Sequence, residues 1–119
     1  MENVTIYHNP KCGASRNVLE LIRNTGIEPT VVQYLVTPLT QAQIAGLLKT
    51  MGVTAREILR RKGTPYDDLG LDDPKWTEQE LIEFMAQHPI LINRPIVSTP
   101  LGAKLCRPAE TVLELLPKR

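Results

Sequence analysis

Apolar and polar positions along the chain divide it into short elements. VTIYH (residues 4–8) is β-branched and aromatic and reads as a strand, which Pro10 and Gly13 then break. From Ala14 the spacing turns helical, with Val18, Leu19 and Ile22 on one face and Gly26 as the residue that ends the helix. TVVQYL (30–35) reads as a second strand, so the first third predicts a β-α-β unit with parallel strands.

The middle of the chain is helical. Ile44, Leu47, Leu48 and Met51 fall at i, i+3, i+4 and i+7, with Gly52 as the stop. Thr54 with Glu57 suggests a capping box for a short helix ending near Arg60, Arg61 and Lys62. After the turn-rich KGTPYDDLGLDDP, Thr77 with Glu80 opens a further helix carrying Leu81, Phe84 and Met85 on one side. The last third changes rhythm again. IVST (96–99) reads as a strand, PLG as a turn and AKLCR (103–107) as an antiparallel return. Pro108 then suits the first turn of a closing helix with Val112, Leu113 and Leu116 inward. The order is β-α-β, a helical block, then β-β-α, which predicts one α/β domain over residues 1–119 with a helical insertion at about 40–88.

Composition narrows the function classes. The chain has 119 residues, 42% hydrophobic and 23% charged, enough for one globular core. With 14 basic and 13 acidic residues it carries no global field for nucleic acid or a membrane surface, so any attraction for anions must be local. No apolar run approaches the roughly 18–20 residues that span a bilayer. The N-terminus lacks the pattern of a secretory signal. Two cysteines and two histidines make neither a disulfide framework nor a metal-ligand cluster, so no metal and a reducing cytoplasm are expected.

The candidate chemistry sits in HNPKCGASRN (8–17). Cys12 stands where a strand ends and a helix begins, and there the first N–H groups of the helix and its dipole favour thiolate over thiol. A free cysteine, with a pKa of about 8.5, is mostly protonated at neutral pH. His8, Lys11 and Arg16 are close enough in sequence to add positive charge, and Ser15 can offer its hydroxyl to the sulfur or help cap the helix. A free cysteine is often simply a small buried residue. That reading suits Cys106, inside a strand, better than Cys12, between polar neighbours at a turn. Three residues after Cys12, where a dithiol protein carries its second cysteine, stands Ser15. Cys12 and Arg16 form C-x3-R, which excludes the C-x5-R oxyanion loop of tyrosine phosphatases and the arsenate reductases related to them.

YHNPKCGASRN (7–17), Arg60, HPILINRPIV (88–97) and LGAKLCRP (101–108) together resemble the glutaredoxin-coupled arsenate reductases of bacteria. The resemblance spans essentially the whole chain. It implies a thioredoxin-like β-α-β…β-β-α fold, a mixed four-stranded sheet with the helical insertion between strands 2 and 3, and a cis peptide before Pro95. Matched residue by residue, it makes Cys12 the nucleophile, Arg60, Arg94 and Arg107 the oxyanion-handling arginines, and His8 and Ser15 supports of the thiolate. It implies reduction of arsenate to arsenite for arsenic detoxification, with glutathione as co-substrate, glutaredoxin as partner and no tightly bound cofactor, in a cytoplasmic monomer. Taken alone, Arg60 could instead complement a helix end beside Arg61 and Lys62. Arg23 and Arg56 read as solvated helix faces and His88 as a helix-end residue. Some members of the family run on past the position of Arg119, but every matched site residue lies at or before 107. Two other classes fit parts of the pattern: a related transcription regulator that binds RNA polymerase, many of which carry C-x-x-C, and a glutathione-dependent reductase of another substrate.

Overall fold

The computed structural model describes residues 3–116. The chain forms two compact units, one holding the residues up to Thr37 together with those from Arg94 onward, the other Pro38–Asn93.

In the first unit, strand β1 (Thr5–Tyr7) leads into helix α1 (Gly13–Asn24) and strand β2 (Thr30–Val32). β3 (Ile96–Thr99) and β4 (Gly102–Leu105) follow, and a 3-10 helix over Ala109–Leu115 closes the unit. The sheet order is β2-β1-β3-β4, with β1 parallel to β2 and antiparallel to β3, and β3 antiparallel to β4. This is the mixed four-stranded, thioredoxin-like sheet, with the helices of Pro38–Asn93 inserted between β2 and β3. Its core gathers Val4, Ile6, Val18, Ile22, Val97, Cys106, Val112 and Leu115. α1 stops where the sequence predicts: Thr25 caps it and Gly26 follows with φ 88°, a left-handed conformation that suits glycine.

Two expectations are corrected here. β2 ends at Val32 rather than at residue 35, because the Gln33 carbonyl accepts from the N–H groups of Val36 and Thr37 and turns the chain. The closing helix is 3-10 rather than α. Three residues per turn align Val112 with Leu115 and rotate Leu113 away, so Leu113 is half exposed instead of inward.

The second unit holds α2 (Gln41–Met51), α3 (Ala55–Ile58) and α4 (Glu78–Gln87), then a 3-10 turn at Pro89–Leu91. The capping boxes at Thr54–Glu57 and Thr77–Glu80 are present, and a third, Thr40–Gln43, opens α2. α3 ends at Ile58, earlier than its sequence predicts. Leu59 turns extended and bridges Ile92, while Arg60 N–H donates to Leu91 O at 2.7 Å and Asn93 N–H to Ile58 O at 2.8 Å. Arg60 therefore lies two residues beyond the end of the helix rather than in its last turn.

Candidate active site

Strand register decides which residues meet. Tyr7 pairs with Ile96, and Ile96 with Leu105. The chain leaving β1 (8–12), the chain entering β3 (94–95) and the chain leaving β4 (106–107) therefore converge at one end of the sheet. Cys12, Arg94 and Arg107 come from these three segments. The Arg94–Pro95 peptide is cis, and so is Arg107–Pro108.

The loop carrying Cys12 is fixed largely by its own polar groups. Cys12 N–H donates to Asn9 O at 3.0 Å and Lys11 N–H to Asn9 Oδ1 at 3.0 Å. Arg16 Nη1 donates to Pro10 O at 2.9 Å. Beneath the loop, Ser15 is fully buried, accepts from Asn9 N–H at 3.1 Å and shares a 2.6 Å hydrogen bond with His8 Nδ1. His8 is anchored in turn by its N–H to Val32 O at 2.8 Å. Asn9 is the residue that sequence reasoning passed over. Its position before a proline is turn chemistry, and three of the loop's hydrogen bonds run through it.

Cys12 is the N-cap of α1, extended (φ −96°, ψ 122°), and its side chain makes no capping bond. Partial burial pushes the thiol pKa up. The N–H of Ser15, the Arg94 guanidinium as donor and as charge, and the N–H of Ala14 together outweigh that and hold it below the ordinary thiol value. Arg107 Nη1 donates to the backbone Arg94 O at 3.3 Å, which ties the chain leaving β4 to the chain entering β3. A partly buried sulfur thus lies among helix N–H groups and a guanidinium, groups whose chemistry suits an anion.

Two support roles differ from the sequence reading. His8 was expected to lend positive charge. Its pKa is instead lowered from 6.5, chiefly by burial and then by the charges of Arg23 and Arg16, so it is neutral at pH 7. The Ser15 hydroxyl is engaged by His8 and Asn9, and it is the Ser15 backbone N–H that serves the sulfur. Arg60 belongs to the other unit, where its Nε donates to Lys62 O at 2.9 Å. Its neighbour Arg61 is paired with Asp67 at 2.8 Å. Cys106 points into the core, fully buried, and burial pushes its thiol up to about 12. Among the described residues no group of three or more His, Cys, Asp or Glu side chains could hold a metal ion.

A thioredoxin-like sheet thus carries an acidified cysteine at the entrance of its first helix, with the Arg94 guanidinium in reach of the sulfur. The ArsC family model matches residues 7–115. An arsenate reductase of Escherichia coli is 60% identical over 117 residues, covering 98% of this chain and 83% of its own length. One from Rhizobium meliloti is 56% identical over 114 residues, covering 96% and 81%. The solved structure of an arsenate reductase from Vibrio cholerae superposes with a TM-score of 0.93 at 41% identity, over 97% of this chain and 98% of that one. The chain belongs to the ArsC family.

Proposed function

We propose that this protein reduces arsenate to arsenite, with Cys12 as nucleophile and an external thiol as the second reductant. The observation that carries the reading is the acidified Cys12 sulfur, which receives the Ser15 and Ala14 N–H groups and the Arg94 guanidinium. Arsenate is anionic at neutral pH, so a thiolate must approach like charge. Guanidinium groups that stay protonated at any working pH neutralise that repulsion and hold the oxygens in pairs. Arg94 and Arg107 lie on the same unit as Cys12, which supports giving them this role, as the resemblance does. Arg60 is assigned to the same anion on the family resemblance.

In the first step the Cys12 sulfur bonds to arsenic(V) and one oxygen leaves as water. Glutathione then adds its sulfur to arsenic with loss of a second oxygen. The two sulfurs join, two electrons reduce arsenic to the trivalent state, and one water returns one oxygen as arsenite departs. In net, arsenic acid and two thiols give a Cys12–glutathione disulfide, arsenous acid and one water. Glutaredoxin, or a second glutathione, restores Cys12 by thiol–disulfide exchange. His8 and Ser15 act on this scheme through the loop: neutral His8 holds Ser15, and Ser15 holds its own N–H on the sulfur. Cys106, buried and protonated, does not take the resolving role. The resemblance adds a cytoplasmic setting and a monomeric state.

The test is glutathione- and glutaredoxin-dependent arsenite release by the purified chain. Cys12→Ser should abolish it and Cys106→Ser should retain it. Full activity of Cys12→Ser, or an inert wild type, would sink the proposal. Turnover that depends on Cys106 would replace the external thiol with an internal one.

A further inference from the structure

A groove of about 250 Å³ opens between the loop that carries Cys12 and the turn that follows β2. Pro10, Leu35 and Val36 supply its apolar wall, and His8, Asn9, Lys11 and Gln33 its polar groups. Val36 is 76% exposed, so this wall is offered to solvent rather than packed. No carboxylate lines the groove, and none pairs with the Lys11 ammonium among the described residues. A larger cavity of about 500 Å³ lies across the same loop, beside Arg16 and Arg23. Its cations are already used: Arg16 donates to Pro10 O, Arg23 grips Glu28 at 2.9 Å, and Glu20 stands in its wall.

We propose that the smaller groove seats the reducing thiol, a small peptide-like thiol of net negative charge. Its carboxylate meets Lys11, its amides meet Gln33 and Asn9, and its carbon chain lies on Leu35 and Val36. Asn9 to Lys11 form one tight turn with Cys12, whose N–H is bonded to Asn9 O. Cys12 is the next residue along the chain from Lys11 in that wall, so a thiol held there meets the sulfur at higher effective concentration than one arriving by chance collision. The inference rests on the reading that an external thiol resolves Cys12, and it names where that thiol binds.

The experiment isolates the exchange step from arsenate. Cys12 is converted to its mixed disulfide with 5-thio-2-nitrobenzoate, and release of that thiolate is timed. The incoming thiolate bonds to the Cys12 sulfur as the aromatic thiolate leaves, so electrons and atoms balance within the two thiols. Glutathione, neutral 2-mercaptoethanol and cationic cysteamine are compared on wild type and on Gln33→Glu/Val36→Glu, a pair of exposed positions outside the reacting centre. The wild type should saturate with glutathione. The variant should need roughly tenfold more glutathione for half the maximal rate at low salt, react unchanged with 2-mercaptoethanol and gain with cysteamine. Lys11→Gln should raise the glutathione requirement by about threefold, leave 2-mercaptoethanol unchanged and favour cysteamine to a smaller degree than the double variant. A glutathione response equal in wild type and variant, or an equal loss for all three thiols, would overturn the groove. Inactivity toward arsenate with this charge selectivity intact would instead defeat the proposed reaction and leave the groove standing.

Discussion

Replacing Ser15 by alanine removes one oxygen from the least exposed part of the site. Two buried groups lose their partner at once: His8 Nδ1 at 2.6 Å and the Asn9 N–H at 3.1 Å. A buried polar group left unsatisfied costs about 1–3 kcal/mol, and alanine returns roughly 0.5 kcal/mol through its better helix propensity. The net loss should be about 2–4 kcal/mol. For a chain of this length each kcal/mol moves the melting temperature by about 4 °C, so Ser15→Ala should melt roughly 8–16 °C lower. Asn17→Ala, exposed on the same helix, should stay within about 0.5 kcal/mol of wild type. Circular dichroism melts and urea titrations of the three proteins decide the matter. A drop under about 3 °C for Ser15→Ala would refute the claim that the hydroxyl is the tie between His8 and the loop.

Arg94→Gln should raise the midpoint pH of Cys12 alkylation and, if arsenate is the substrate, lower kcat/KM by roughly ten- to a hundredfold, since a hydrogen bond to a charged group is worth about 1.5–3 kcal/mol. Arg107→Gln should lower kcat/KM while leaving the alkylation midpoint in place, and a shift of that midpoint would break the division of labour. With iodoacetamide at pH 8, mass spectrometry of the native protein should find Cys12 modified and Cys106 untouched, because burial holds the latter's thiol near 12. Equal labelling of the two would contradict this. His8 gives a pH dependence of definite sign. Its folded pKa lies below 6.5, so the unfolded chain binds the proton first as pH falls. Its contribution is therefore intact above pH 6.5, declines below it and levels off once the folded value is passed. Urea unfolding between pH 7.5 and 5.5 should show that slope, and His8→Gln should flatten it; an unchanged slope would remove His8 as its source.

Much of the first unit was legible from local chemistry. Val18 and Ile22 announced the buried face of α1, Gly26 its end, and IVST and the following turn a hairpin. What escaped was set by partners far along the chain. α3 stops short because Leu59 finds Ile92, more than thirty positions away. The 3-10 form of the closing helix was hidden because Val112, Leu113 and Leu116 suit an α-helical face equally well. At the site, the residue types around Cys12 were readable, but their electrostatic state was not. His8 looked like a cation, and only the fold shows it buried beside Arg16 and Arg23. The Ser15 hydroxyl looked free for the sulfur until the loop turned Asn9 and His8 toward it. Arg94 could be paired with Cys12 from sequence only through resemblance, because 82 positions separate them and the link between them is the β1–β3 register.

That register also ties chemistry to the order of folding. Helix α1 and its loop can form from neighbouring residues, but the guanidinium at 94 reaches the sulfur only after β3 has crossed to β1, a contact of long sequence separation that forms slowly. A half-folded chain that has α1 but not the sheet thus carries a Cys12 served by the Ser15 and Ala14 N–H groups and still lacking the Arg94 guanidinium. The last increment of acidity arrives only with the finished sheet, so the pH midpoint of Cys12 alkylation reports whether β3 has docked on β1.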